Sequence, residues 1–250
     1  MVVIKRFLLM MQFLTAIPLP FKLDVKEEDF GKGLVFAPVV GLIIGGILAA
    51  QYLLLEMLLP FNVNAVLVVV SYIMLTGGLH LDGLGDTFDG LFSNRPKERI
   101  LEIMRDSRVG TNAVLAIFCV LALNTALLIS LGSRNIVKAL LLMPAAGRIG
   151  SLIGAGASRY ARSGEGLGKS FIDFCGIKQI LAGLVLYALI FIFAGGSVWA
   201  YLLIIPVASS FFLIWLFSRK IGGSTGDILG AVCEINQTIF LLCAGVICWN

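Results

Sequence analysis

The chain has 250 residues, 59% of them hydrophobic and 14% charged, with a net charge of +4 and a mean hydropathy of +0.99. That balance leaves too little polar surface for a water-soluble domain and too weak a positive charge for a nucleic-acid partner. Four of the five cysteines lie in apolar segments and no pair has C-x-x-C spacing, which disfavours a zinc or disulfide role and favours packing.

In chain order, VVIKRFLLMMQFLTAIPLP places Lys5 and Arg6 before a short apolar run that Pro18 and Pro20 end. No small-residue cleavage site follows, so an uncleaved helix lying in the membrane interface is expected rather than a signal peptide. Apolar segments then run approximately over 34–60, 61–79, 111–131, 139–157, 179–195, 198–217 and 228–249. Each is near the roughly 20 residues that cross a hydrocarbon core of about 30 Å. The expected fold is all-α: a single domain over 1–250, a polytopic membrane bundle of about seven transmembrane helices. Gly41 and Gly45, at G-x-x-x-G spacing, predict close approach of another helix.

Sixteen of the nineteen Lys and Arg residues fall in 1–33, 82–110, 158–178 and 218–227, while only Arg134 and Lys138 occupy the intervening stretches. This bias assigns the first set to the cytoplasm and the C-terminus to the outside. In the longest of these loops, Asn94 is expected to cap a helix beginning at Pro96. Within PKERILEIMRD, Ile100, Leu101, Ile103 and Met104 alternate with charges at the spacing of an amphipathic helix on the membrane.

The stretch HLDGLGDTFDG, residues 80–90, opens that loop. Read as a helix, it puts Asp82, Asp86 and Asp89 within roughly 60° of arc along about 10 Å. Three carboxylates on one stripe near lipid repel one another and call for a cation. Magnesium fits, as a hard ion usually held by one or two carboxylates and a substrate phosphate. The stripe is too long for one ion to touch all three, so either two ions share it or Gly83 and Gly85 break the helix. His80 would face away unless Gly77-Gly78 unwinds the preceding turn. The competing reading is a solvated acidic mouth, or aspartates paired with Arg105 and Arg108.

Three other places carry unusual chemistry. MRDSRVGTN clusters Arg105, Asp106, Ser107 and Arg108, where arginines can grip phosphate oxygens, though on these residues alone ordinary positive-inside anchoring is the favoured reading. SRYARSGEGLGKSF mixes Arg159, Arg162 and Lys169 with glycines but lacks Walker spacing. GGSTGDILGAVCEINQ puts Asp227 and Glu234 on one face, and Arg148, alone within a span, is the natural partner of the intramembrane Glu234.

These segments together resemble the cobalamin synthase family, adenosylcobinamide-GDP ribazoletransferases. The matching stretches are MQFLTAIPLP, FAPVVGLIIGG, GGLHLDGLGDTFDG, RDSRVGTNAV, YARSGEGLGKSF and GGSTGDILGA, in order over nearly the whole chain. One departure is Ser163-Gly164-Glu165, where the family often has a shorter, proline-containing link. The resemblance implies an integral protein of a bacterial or archaeal cytoplasmic membrane, with its site toward the cytoplasm and a homo-oligomer allowed. It implies transfer from adenosylcobinamide-GDP to alpha-ribazole or its 5′-phosphate, with magnesium and release of GMP.

On that reading Asp82, Asp86 and Asp89 hold magnesium, and one of them or His80 takes the attacking proton. Arg105, Ser107, Arg108, Arg159, Arg162 and Lys169 bind substrate. Asp106, Arg148, Asp227 and Glu234 are additional candidates. Two rivals remain. Asp86-Thr-Phe-Asp89-Gly90 matches the opening of the CDP-alcohol phosphotransferase signature, but the rest of that signature fails. A transporter would place its site near the midplane between repeated halves, and no repeat is evident.

Overall fold

The computed structural model describes residues 2–20 and 22–248, with side chains except at positions 197 and 198. Helix α1 (Val2–Leu14) leads into α2 (Glu27–Gly33) and, through a short 3-10 turn, α3 (Ala37–Leu55). Next come α4 (Phe61–Thr76), α5 (Leu79–Leu91) and α6 (Lys97–Ile103), then the long α7 (Thr111–Ala157). After α8 (Leu167–Asp173) come α9 (Ile177–Ile190), α10 (Gly196–Ala200), α11 (Ile204–Ile221) and α12 (Gly226–Cys248).

Five helical stretches among the described residues are long and apolar enough to cross a membrane, and a sixth arises if the bent pair α4–α5 counts as one. The 47-residue α7 is two helices in practice. Gly132 takes φ 67° and ψ 171°, a left-handed conformation that glycine adopts without steric cost. Asn124, before this break, accepts a hydrogen bond from Thr238 at 2.8 Å. Gly147, after it, lies against Cys233 and Gln237 on the same stretch of α12. A straight helix would hold positions 124 and 147 about 35 Å apart. The two halves therefore run side by side as a hairpin. Each of the seven apolar segments is thus helical, with Trp249 of the last outside the described residues.

The core forms around α12, which packs on α7, α5 and α11 and buries residues along nearly its whole length. Close approach is set by small residues. A Cβ on Gly41 would fall 2.6 Å from the Ala145 backbone, so the G-x-x-x-G face of α3 seats the second half of α7. Outward faces carry Val66, Val70, Phe118, Leu181, Val185 and Phe211, all exposed, the composition that suits lipid.

The four basic stretches meet at one end of the bundle. Lys220 donates to the Leu91 carbonyl at 2.8 Å, Arg159 to that of Gly222 at 3.0 Å and Arg162 to that of Met104 at 3.3 Å. Gly31 of α2 abuts the backbone of Phe174. At the same end α1 is tied to α2 by Asp29, which pairs with Lys5 at 2.5 Å and Arg6 at 2.9 Å. The loop helix is shorter than its pattern suggests: α6 starts after Pro96 with no side-chain cap, and Asn94 instead turns the chain at φ 53°.

Candidate active site

Two consecutive glycines create the site's geometry. Gly77 and Gly78 take φ 62° and 68°, and the chain bends by 89° between α4 and α5. A run of L-residues could not hold that turn cheaply. We read α4 as the spanning part, with α5 turned across the end of the bundle. Along α5 the stripe puts Asp82 in the open and Asp86 and Asp89 half-buried. Gly83 and Gly85 do not break the helix, contrary to one reading of the sequence, because both serve as contact points. A Cβ on Gly83 would lie 2.9 Å from the Asp227 carbonyl oxygen, and one on Gly85 would lie 3.1 Å from Ala113. Glycine at position 83 thus lets α5 touch the start of α12.

That contact brings a fourth carboxylate to the stripe. Burial, then the charges of Asp227 and Asp82, push the Asp86 carboxyl up to about 7. Asp227 is held by Arg162 at 2.8 Å and by the Thr225 hydroxyl at 3.2 Å, both on one of its oxygens. Arg162 reaches it because two loops pair backbone to backbone: Ala161 donates to Ser224 and Ser224 to Arg159, at 2.9 and 2.8 Å. Asp82 accepts no hydrogen bond from the described residues.

Asp89 has a further task. One of its oxygens accepts from the Gly110 amide at 2.6 Å and the other from the Ala113 amide at 2.9 Å. It therefore supplies the N-terminal cap of α7 from another helix. The first amides of a helix have no intrahelical partner, and a carboxylate there is also favoured by the helix dipole.

The remaining candidates divide by place. Arg105 shares a small cleft with Arg162. Asp106 and Arg108 grip each other at 2.6 Å on the surface, and Ser107 beside them is exposed. Arg159 turns to the Gly222 carbonyl, in a groove with Trp215 and Arg219. Lys169 faces Asp173 at 3.8 Å in a separate polar pocket. These last three places do not join the acid cluster.

His80 is buried under the stripe. Burial first, and then Arg148, push its imidazole down to about 3, so the ring is neutral. Beneath it Arg148 and Glu234 are fully buried in one cluster, but no ion pair joins them, contrary to the pairing expected from the sequence. Tyr72 stands between: it donates to Glu234 at 2.6 Å, accepts from Gln237 at 2.8 Å and lies under the Arg148 guanidinium at 5.7 Å. Tyr72 and Gln237 are missed in the sequence, since a tyrosine within an apolar run carries no signal of its own.

Beside the stripe lies a cavity of about 220 Å³. His80, Asp82 and Gly83 of α5 and Gly226, Asp227 and Leu229 of α12 line it, with Phe13 and Leu14 of α1 and Phe171 of α8. Four of the segments singled out in the sequence converge here.

With this geometry in view, comparison with known proteins is decisive. Residues 6–245 match the family described as cobalamin-5-phosphate synthase. The chain belongs to the cobalamin-5-phosphate synthase family. An adenosylcobinamide-GDP ribazoletransferase of Acetivibrio thermocellus is 60% identical over 239 residues, covering 96% of each chain. One of Clostridium acetobutylicum is 57% identical over 238 residues, covering 95% of this chain and 94% of the relative. A third, from Alkaliphilus metalliredigens, is 44% identical over 239 residues, covering 95% and 93%. No solved structure matches. This cobalamin-5-phosphate synthase family membership displaces the CDP-alcohol phosphotransferase and transporter readings.

Proposed function

We propose that the protein transfers the corrinoid phosphate of adenosylcobinamide-GDP to a ribose hydroxyl of alpha-ribazole, or of its 5′-phosphate, and releases GMP. The observation that carries this reading is the meeting of the α5 aspartates with Asp227 and Arg162 beside one cavity, in a chain whose relatives are named for that transfer. In the reaction the hydroxyl oxygen bonds to the corrinoid-side phosphorus and the bond to the GMP oxygen breaks. The hydroxyl proton passes to a base.

The donor set fits magnesium. Asp82, which accepts no hydrogen bond from the described residues, and the oxygen of Asp227 that Arg162 leaves free are hard carboxylate donors, and crowding of acids around Asp86 leaves the cluster short of positive charge even with Arg162 present. When bound, such an ion supplies charge neutralisation at the bridging and leaving phosphate oxygens. Arg162, already at the cluster, and Arg105 across the cleft bind diphosphate oxygens. Asp86 takes the attacking proton: burial, the largest cause of its raised carboxyl, persists when magnesium offsets the charges of Asp82 and Asp227. Neutral His80, near 3, is a weak base and positions instead. Asp89 holds α5 against the start of α7. The gathering of sixteen basic residues at this end supports a cytoplasmic site in the inner membrane.

The test is purified protein in lipid nanodiscs with both substrates, with magnesium or with excess EDTA, following GMP and cobalamin product together. Product forms only with magnesium, and Arg162→Gln cuts turnover by about tenfold or more, as loss of one phosphate clamp does. Absence of GMP release from the wild-type protein under all conditions would overturn the proposal.

A further inference from the structure

We propose that the cavity beside the acid cluster holds the flat aromatic base of the nucleoside acceptor, and that its walls decide which base is taken. This rests on the transferase reading above. Three substrate parts compete for the space: the corrinoid, the guanine and the acceptor's benzimidazole. At about 220 Å³ the cavity is far too small for a corrinoid macrocycle. An apolar cavity of about 150 Å³ takes benzene, so the larger volume suits a fused bicycle.

Chemistry then separates the other two. Phe13, Leu14, Leu34, Phe171 and Leu229 supply the walls. Asp82 and Asp227 on the lining can accept from guanine's N1–H and N2–H, but the phenylalanine and leucine walls leave its O6 and N7 unpaired, at a cost in affinity. A ribosylated benzimidazole has one ring nitrogen left to satisfy and two apolar faces for the phenylalanines. Asp82 and Asp227 lie on the same lining, so a base seated here leaves its ribose among the carboxylates, where the hydroxyl must react.

The experiment uses the full chain in nanodiscs. Leu229→Phe fills the cavity and Phe171→Leu enlarges it. Leu229→Phe is expected to raise KM for alpha-ribazole by about tenfold or more, the scale of a methylene or more misfitted in an apolar pocket, and to leave KM for adenosylcobinamide-GDP unchanged. Phe171→Leu is expected to raise KM for alpha-ribazole while improving use of an acceptor with a tricyclic base. Independently of turnover, 5,6-dimethylbenzimidazole alone should change its fluorescence on binding the wild-type protein, with weaker binding to either variant. The inference is overturned if only the KM for adenosylcobinamide-GDP moves, if neither KM moves, or if the free base binds all three proteins alike. A wild-type protein that binds the base but releases no GMP would sink the transferase reading and leave this assignment standing.

Discussion

Replacing Asp89 and Asp82 by alanine should have opposite signatures, because two carboxylates of one stripe do different work. Asp89 accepts from the Gly110 and Ala113 amides at 2.6 and 2.9 Å. Hydrogen bonds to an ionised acceptor contribute about 1.5–3 kcal/mol each, but helix-cap deletions measure only about 0.5–2 kcal/mol, since freed amides reach water. Ala113 is buried, so water cannot fully replace the lost acceptor there and the upper end applies. Asp89→Ala should therefore cost about 2 kcal/mol, a fall of about 6 °C in the unfolding midpoint for a chain of this size. Asp82 is exposed and accepts nothing from the described residues, so Asp82→Ala should hold its midpoint within about 1 °C and lose turnover. The assay is thermal unfolding in nanodiscs, followed by tryptophan fluorescence, with GMP release measured on the same samples. An Asp89→Ala protein with an unshifted midpoint and the same lost turnover as Asp82→Ala would refute the capping argument.

Three further outcomes follow from the same cluster. With the Asp86 carboxyl raised to about 7 first by burial, kcat/KM should show an acid limb of about tenfold per pH unit that lies below 7 as far as bound magnesium offsets the charges of Asp227 and Asp82; a profile with no acid limb between about pH 4.5 and 8 would remove Asp86 as the proton acceptor. The shift also makes folded Asp86 bind more protons than unfolded Asp86 between the ordinary 3.8 and about 7, while His80, held down to about 3 from 6.5, contributes the opposite slope. The decline in stability as pH rises across that window should therefore appear as the difference between wild type and Asp86→Asn. Unfolding midpoints at either end of the window check the sign. Gly83→Ala would set a Cβ 2.9 Å from the Asp227 carbonyl oxygen and 3.0 Å from its Cα. Two helix backbones must then part, at about 1–3 kcal/mol, so turnover should drop about a hundredfold while Gly46→Ala, which meets nothing within 4 Å, leaves both stability and rate alone.

Much of this architecture is legible in the sequence because lipid imposes it. Apolar length gave every membrane-scale segment, and the clustering of lysines and arginines gave the end at which the acids gather. The stripe of Asp82, Asp86 and Asp89 followed from helical spacing alone. What spacing could not reveal is which partners the third dimension supplies. The cap from Asp89 to α7 joins residues 21 and 24 positions apart. Arg162 meets Asp227 only because two loops pair across 65 positions. The Arg148–Glu234 expectation placed both groups in one buried cluster but not in contact, since pairing by charge ignores a tyrosine able to stand between them. The glycines of α5 look like helix breakers in one dimension and prove to be sites of close helix contact.

The reversal at Gly132 has a consequence for the chemistry. The chain leaves the acids at Gly110, travels out along one half of α7, turns on a single residue and comes home at Arg162. The cap that Asp89 places on the start of α7 and the guanidinium that Arg162 places on Asp227 are thus bookends of one hairpin. Its two arms, 111–131 and 133–157, bring the chain back to the end of the bundle it left, so helix rather than loop decides where Arg162 stands among the carboxylates.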